Sequence, residues 1–258
     1  MDDPITTIKP IFHAPRLKAI LNRKEIHFNS IVYWDLDNTI FQTKKELGSD
    51  EWISHLMTIA KSKLGTASEI QLIKELYNAV QHFIEIMPVE RDTLKIIAFL
   101  NHIGVTQRLI TARSPALKTL TLKQLTDLDP SMTTWPRSKD IIFCDAQHRG
   151  RALFKSHLFS QNDHIIMIDD KYQNVEAVQA ITQRQHLNFT GFHYTYLTDK
   201  VAAFDMHQAN FQLLLIKHLL PLHIQDFINR LELTYEVQPQ LYLKEKSSED
   251  AQSSPKRP

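Results

Sequence analysis

With 258 residues, 43% of them apolar, the chain is long enough to bury one sizeable core and to carry a small accessory domain. A formal net charge of +1 supplies no bulk attraction for nucleic acid or for an acidic membrane surface, so no nucleic-acid partner is expected. The single cysteine, Cys144, excludes an intramolecular disulfide and a thiolate zinc cluster, and it suits a reducing compartment.

Residues 1–25 mix Asp2, Asp3, Pro4, Pro10, His13 and Pro15 and contain no apolar run of seven, so they do not read as a secretory signal and a cytoplasmic protein is expected. Residues 1–27 read as an N-terminal extension. The first strong strand signal is Ile31-Val32-Tyr33-Trp34, which runs straight into Asp35-Leu36-Asp37-Asn38-Thr39. A strand alternates faces with a period of two, so Asp35 and Asp37 share a side if the strand continues; Asn38 favours a turn instead. Either way two acids lie within a few ångströms, where like charges repel by roughly 4 kcal/mol at an effective dielectric of about 20. A cation is expected between them.

Residues 48–89 show no strand pattern. Ile70, Ile73, Tyr77, Val80 and Ile84 follow helical spacing, and Ser68-x-x-Gln71 is written as a capping box, so this segment reads as a small helical insert. Asn101-His102-Ile103-Gly104 ends a helix on glycine. A second strand, 105–110, then runs into Thr111-Ala112-Arg113, and Ser114-Pro115 opens a helix toward Leu125. Further strands are expected at 140–144, 164–169 and 188–194. The fourth strand, with Ile165-Ile166-Met167-Ile168, ends in Asp169-Asp170, and Asn174 follows four residues later. Residues 201–233 read as two packed helices. The apolar stretch 213–222 within them is broken by Lys217, His218 and Pro221 and falls far short of the roughly 20 residues that a membrane span needs. Residues 244–258 are charged and serine-rich and read as a disordered tail, because they offer too little apolar surface to repay ordering.

Strand and helix signals alternate, which predicts an α/β fold: a Rossmann-like, doubly wound parallel sheet. The domain plan is a catalytic core over 28–47 and 90–200, a small helical cap over 48–89 inserted after the first strand, and C-terminal helices with a short extension, 201–243, packed on the core. In an open parallel sheet the ligand crevice lies at the carboxyl ends of the strands near the switch point of strand order, so the three polar strand ends can converge. With five glycines, no glycine-rich phosphate loop can be written, and the thirteen histidines show no metal-binding spacing. Taken singly, Asp-x-Asp reads as a strand-ending turn, Ser114 as a helix cap, Arg113 equally as a solvated surface arginine or a phosphate contact, and Asn174 as a helical polar residue or a site residue.

The words Asp-x-Asp-x-Thr, Thr-Ala-Arg and Asp-Asp-x-x-x-Asn, in this order between about Ser30 and Asp205, resemble the haloacid dehalogenase (HAD) superfamily of phosphohydrolases. Together with Leu47-Gly48-Ser49-Asp50-Glu51-Trp52 and Met87-Pro88-Val89-Glu90, they also look like a little-characterised bacterial branch of it. The resemblance implies a magnesium-dependent phosphomonoesterase working through a phosphoaspartyl intermediate. Asp35 would be the nucleophile and Asp37 the general acid and base. Thr111, Ala112 and Arg113 would face the transferring phosphoryl group. Asp169, with Asp170, would hold Mg2+ beside Asp35 and the Asp37 main-chain carbonyl, with Thr39 and Asn174 in support. The superfamily places a lysine upstream of the acidic motif; here that slot reads His148-Arg149-Gly150-Arg151, so Arg149 stands in and Lys155 is the other candidate. The insert occupies the usual place of a cap, where Trp52, His55 and Tyr77 either line the substrate site or pack as core; Trp52 is taken as the selector.

The expected substrate is a phosphorylated small molecule or a phosphoprotein, phosphotyrosine included. Two other readings stand beside it. One is a binding module that kept the fold and metal site without turnover. The other is a cysteine-dependent phosphatase built on Cys144 and Arg149, disfavoured because four residues separate them where that family has five, and because a thiol at the end of a buried strand is usually inert.

Overall fold

The runs read as strands are short, β-branched and apolar on both faces, as strands of a sheet covered by helices must be. In the computed structural model the described residues are 11–21, 26–27, 29–60, 66–129, 135–145, 149–156, 159–160, 162–231 and 233; the expected tail at 244–258 lies outside them. In chain order they form β1 (Ile11–Ala14), α1 (Leu17–Leu21), β2 (Ser30–Trp34), β3 (Phe41–Thr43), α2 (Asp50–Ile59), α3 (Ala67–Val80), β4 (Ile86–Pro88) and α4 (Thr93–His102). Then come β5 (Thr106–Thr111), α5 (Lys118–Leu128), β6 (Ile141–Phe143), α6 (Arg149–Ser156), β7 (His164–Asp169), α7 (Tyr172–Arg184), β8 (Asn188–Tyr194), α8 (Thr198–Ala202), α9 (Met206–Ile216) and α10 (Leu222–Arg230).

Six strands pair in parallel in the order β1-β8-β7-β2-β5-β6. From β2 the chain moves outward to β5 and β6, then crosses back to β7 and β8, so strand order reverses at β2. Period-two alternation divides the core. Val32 and Trp34 face a layer with Leu17, Leu94, Ile97 and Leu125, whereas Ile31 and Tyr33 face one with Leu153, Val175 and Val178. Helices therefore cover both faces, and the doubly wound parallel α/β sheet is as expected. Asp35, Thr111 and Asp169 stand at the carboxyl ends of three adjacent strands.

Local signals also mislead in places. Residues 11–14, assigned by the sequence to an N-terminal extension, form the edge strand β1 on β8. Residues 86–88, inside the segment without strand pattern, pair antiparallel with 41–43 and close the base of the insert; strands of three or four residues are too short to display alternation. The capping box of α3 is Thr66 with Glu69, not Ser68 with Gln71.

Among the described residues the C-terminal helices, expected on the core, pack mainly on the insert, with Leu117 and Leu120 of the core joining the same cluster. Ala209, Leu213, Ile224, Phe227 and Ile228 share a hydrophobic cluster with Trp52, Leu56, Ile73, Leu76, Tyr77 and Val80 of α2 and α3. Both sheet faces are already covered, so the apolar sides of α9 and α10 find their partner in the insert, and the cap is a composite of both segments. No described helix is long and apolar enough to cross a membrane.

Candidate active site

β2 hands over to the site through one further ladder bond, from Asp35 N–H to the Ile168 carbonyl at 2.8 Å. The chain then turns. Asn38 sits at φ 62°, a left-handed conformation that asparagine tolerates, and its N–H donates to Phe41 O at 2.8 Å. This turn separates the two acids. Asp35 is buried beside β7, while the Asp37 side chain keeps 18% of its exposure.

Each acid has its own arginine, in place of the one shared cation expected. Asp35 Oδ1 accepts from Arg149 Nη2, which also lies 3.7 Å from Asp169 Oδ2. Asp37 accepts a fork from Arg113, Nε to Oδ2 at 2.9 Å and Nη2 to Oδ1 at 2.8 Å. The remaining N–H groups of Arg113 go to Thr121 Oγ1 at 3.2 Å, Gln124 Oε1 at 2.7 Å and Gln81 Oε1 at 3.3 Å, and its guanidinium lies 4.9 Å from the Phe41 ring centre. All five donors are spent within a buried cage. Arg113 is therefore not the solvated residue that the sequence offered as one alternative; it borders the outer cavity with its N–H groups committed to protein acceptors. Thr111 is fully buried, and its hydroxyl oxygen accepts the Arg113 N–H at 3.1 Å.

Three carboxylates converge where β2 meets β7. Ligand oxygens of Asp35, Asp169 and Asp170 all lie within 4.8 Å of one another; the carboxylate of Asp37, held by Arg113, is not among them. Asp169 Oδ1 accepts from the Lys171 N–H at 2.8 Å and from Asn174 Nδ2 at 3.0 Å. Its Oδ2 is buried without a hydrogen-bond partner among the described residues. Burial pushes the carboxyls of Asp35 and Asp170 well above the ordinary range and raises Asp169 too; Arg149 opposes this at Asp35 and Asp169. Three carboxylates against one guanidinium leave two negative charges in excess when all are ionised. An orphaned oxygen within an all-oxygen donor set of that charge fits a hard divalent cation such as Mg2+.

The first turn of α2 reaches this crevice from the cap. Ser49 caps the helix by accepting from the Trp52 N–H at 3.1 Å, which aims Asp50 and Glu51 toward the core. Asp50 Oδ2 accepts from Lys171 Nζ, and Glu51 Oε1 from Asn38 Nδ2 at 2.7 Å. Sequence reasoning assigned nothing to Asp50 or Lys171. The first lies in the Leu-Gly-Ser-Asp segment and the second follows the acid pair, yet nothing in their spacing says that they meet.

Two cavities result. A chamber of about 220 Å3 is lined by Asp35, Arg149, Asp170 and Asn174, and an outer lobe of about 350 Å3 by Ile53, Met57, Lys74 and Tyr77 of the cap, with Ser114 and Asp145 of the core. Asp37, Asp50, Ala112 and Lys171 line both and so mark their junction. Lys74 and Asp145 pair across the lobe at 3.3 Å.

Several expected residues stand elsewhere. Trp52 is fully buried in the cap core, stacked on Tyr77 with ring centres 6.3 Å apart, and lines neither cavity. A large apolar ring on the inner face of an amphipathic helix gains more from that core than from a polar crevice. Of the three suggested lining groups only Tyr77 reaches the lobe; His55 packs by Phe204. Lys155 is exposed near the end of α6, whereas Arg149 opens that helix and is buried on Asp35. Gly150 permits this, since a Cβ there would lie 2.6 Å from the Ala177 carbonyl of α7. Thr39 is buried, its hydroxyl without a partner among the described residues. Cys144 is buried, and burial pushes its thiol up although Arg149 draws it down, as suits packing rather than nucleophilic attack.

Fold and site together define an α/β protein with an acidic crevice at its topological switch point, roofed by a helical cap. The family described as "Protein of unknown function (DUF2608)" matches residues 13–137 and 136–223, and the chain belongs to that family. Among solved structures it is similar to a hydrolase from Pseudomonas syringae, at 11% identity over 68% of this chain and 99% of that one, with a TM-score of 0.41. It is also similar to the HAD domain of effector protein Lem4 from Legionella pneumophila, at 14% identity over 69% of this chain and 98% of that one, with a TM-score of 0.34. No curated protein matches the chain.

Proposed function

We propose that the chain is a magnesium-dependent phosphomonoesterase of HAD type. The observation that carries this reading is the division of labour between two neighbouring acids: Asp35 belongs to a carboxylate trio with an orphaned oxygen, and Asp37 stands apart, clamped by Arg113 where the two cavities join. Asp35, Asp169 and Asp170 would hold the Mg2+, which supplies charge neutralisation for the phosphoryl group.

Asp35 attacks phosphorus, forming an Oδ–P bond as the P–O bond to the leaving group breaks; this divides one difficult displacement into two. Asp37 would have to enter the step carrying a proton, give it to the departing oxygen, and then take one from the water that attacks phosphorus as the P–O bond to Asp35 breaks. Arg149 holds the Asp35 carboxylate, and the Arg113 fork holds the Asp37 side chain where the two cavities join. The leaving group occupies the outer lobe, whose volume admits a compact metabolite or a phosphorylated side chain, phosphotyrosine included. Selectivity then rests on Ile53, Met57 and Tyr77, not on Trp52.

The test is a panel of phosphorylated metabolites and phosphopeptides against wild type and Asp35→Asn. An amide cannot attack phosphorus, so the variant is expected to lose at least about 99.9% of turnover, as is wild type stripped of Mg2+. Full turnover by Asp35→Asn overturns the assignment, and turnover of no substrate by wild type shifts it to a binding module.

A further inference from the structure

A phosphate dianion entering the chamber meets three carboxylates; Arg149 and the proposed Mg2+ would balance these, so the two charges of the dianion itself call for a further cation facing its oxygens. Arg113 has no N–H left. Lys155 is exposed on α6, and Lys74 lines only the outer lobe, paired with Asp145. Arg149 is bound to Asp35 through Nη2 and keeps Nη1 buried without a hydrogen-bond partner among the described residues. Lys171 is different. Its ammonium has three donors and gives one to Asp50, and it lines both cavities.

Resting on the phosphomonoesterase reading above, we infer that Lys171 is a ligand of the substrate phosphate and that the Asp50 carboxylate is an internal anion which the phosphate displaces. The exposure of the pair suits such an exchange. The Lys171 side chain is 44% exposed and that of Asp50 18%, so they part at the wet rim, where an ion pair contributes little and neither charge is stranded in a dry interior. The incoming dianion offers the ammonium more charge and more acceptor oxygens than one carboxylate does. Asp50 belongs to the first turn of α2, so phosphate arrival also loosens one of the links between cap and core. The chamber thus carries two groups that can donate to the anion, Arg149 Nη1 and Lys171 Nζ, the second paired with Asp50 until substrate arrives.

Calorimetric titration of the full-length chain with inorganic phosphate, in the presence of Mg2+, tests this with Lys171→Met and Asp50→Asn. Lys171→Met is expected to weaken phosphate binding about 10- to 100-fold, the range of one hydrogen bond between charged groups. Asp50→Asn removes the competing anion and is expected to tighten it several-fold. Opposite signs are the signature, because a latch that only joins cap to core would lose the same pair in both variants and move phosphate affinity the same way in each. Equal changes, or an unchanged titration in Lys171→Met, overturn the inference while leaving the phosphatase reading in place. A folded wild type that binds no phosphate removes both. Should Lys171→Met fail to fold, Lys171→Arg keeps the cation: affinity held within about threefold beside a tightened Asp50→Asn supports the role, and equal weakening in both overturns it.

Discussion

Replacing Arg113 with alanine deletes the cation from a cage that Asp37, Gln81, Thr121 and Gln124 were arranged to fill. Removing one partner of a buried ion pair typically costs about 3–5 kcal/mol, mostly for the charge left behind. The Asp37 side chain is 18% exposed and recovers some hydration, which places the expected loss near the lower limit, at about 3 kcal/mol. For a chain of this length each kcal/mol moves the melting temperature by about 2–4 °C, so Arg113→Ala should melt about 6–12 °C below wild type. Arg113→Lys should recover less than half of this, because an ammonium has three donors against the five in use and cannot make the fork. Thermal unfolding by calorimetry provides the assay. A double-mutant cycle with Asp37→Ala should return a coupling of at least about 1 kcal/mol, as contacting charged pairs do. Melting of Arg113→Ala within about 1 °C of wild type would refute the reasoning, since a guanidinium with five native hydrogen bonds cannot vanish at no cost.

Two further outcomes follow from the same geometry. Burial raises the Asp35, Asp169 and Asp170 carboxyls above the ordinary aspartate value of 3.8, so over that range the folded chain holds protons that the unfolded chain has released, and metal-free stability falls as pH rises. In the proposed reading, Mg2+ would replace those protons. Its stabilisation should therefore grow as pH rises above the ordinary aspartate range, reaching about 2.7 kcal/mol at a hundredfold excess over Kd; a melting-temperature increment that is flat with pH, or intact in Asp169→Asn, counts against the metal assignment. Gly150→Ala would place a Cβ 2.5 Å from Ile181 Cδ1 and 2.6 Å from the Ala177 carbonyl, and that backbone oxygen cannot rotate away. Overpacking of this kind costs about 1–3 kcal/mol and should displace the start of α6 with Arg149, read as a lower melting temperature; an unchanged melt sinks the packing account.

Apolar β-branched runs and turn residues are local, and from them the parallel α/β sheet, five of its six strands and the acids at its strand ends were legible in the amino-acid sequence. The positive φ at Asn38 and the helix end at Gly104 belong to the same class, because a turn or a cap is decided within a few residues. The resemblance of three short motifs supplied roles for Asp35, Asp37 and Asp169 but could not say which cation serves which acid. Those pairings join residues 114 apart for Arg149 with Asp35, 76 for Arg113 with Asp37 and 121 for Lys171 with Asp50. Only the folded chain decides them, since an arginine next to an apolar run has the same local signature whether it faces solvent, phosphate or a buried carboxylate. The cap follows the same rule. Helical periodicity shows that Trp52, Tyr77, Leu213 and Phe227 each seek an apolar surface, but not which one. With both sheet faces covered, they find one another, which builds the cap from two distant segments and turns Trp52 away from the substrate it was expected to meet.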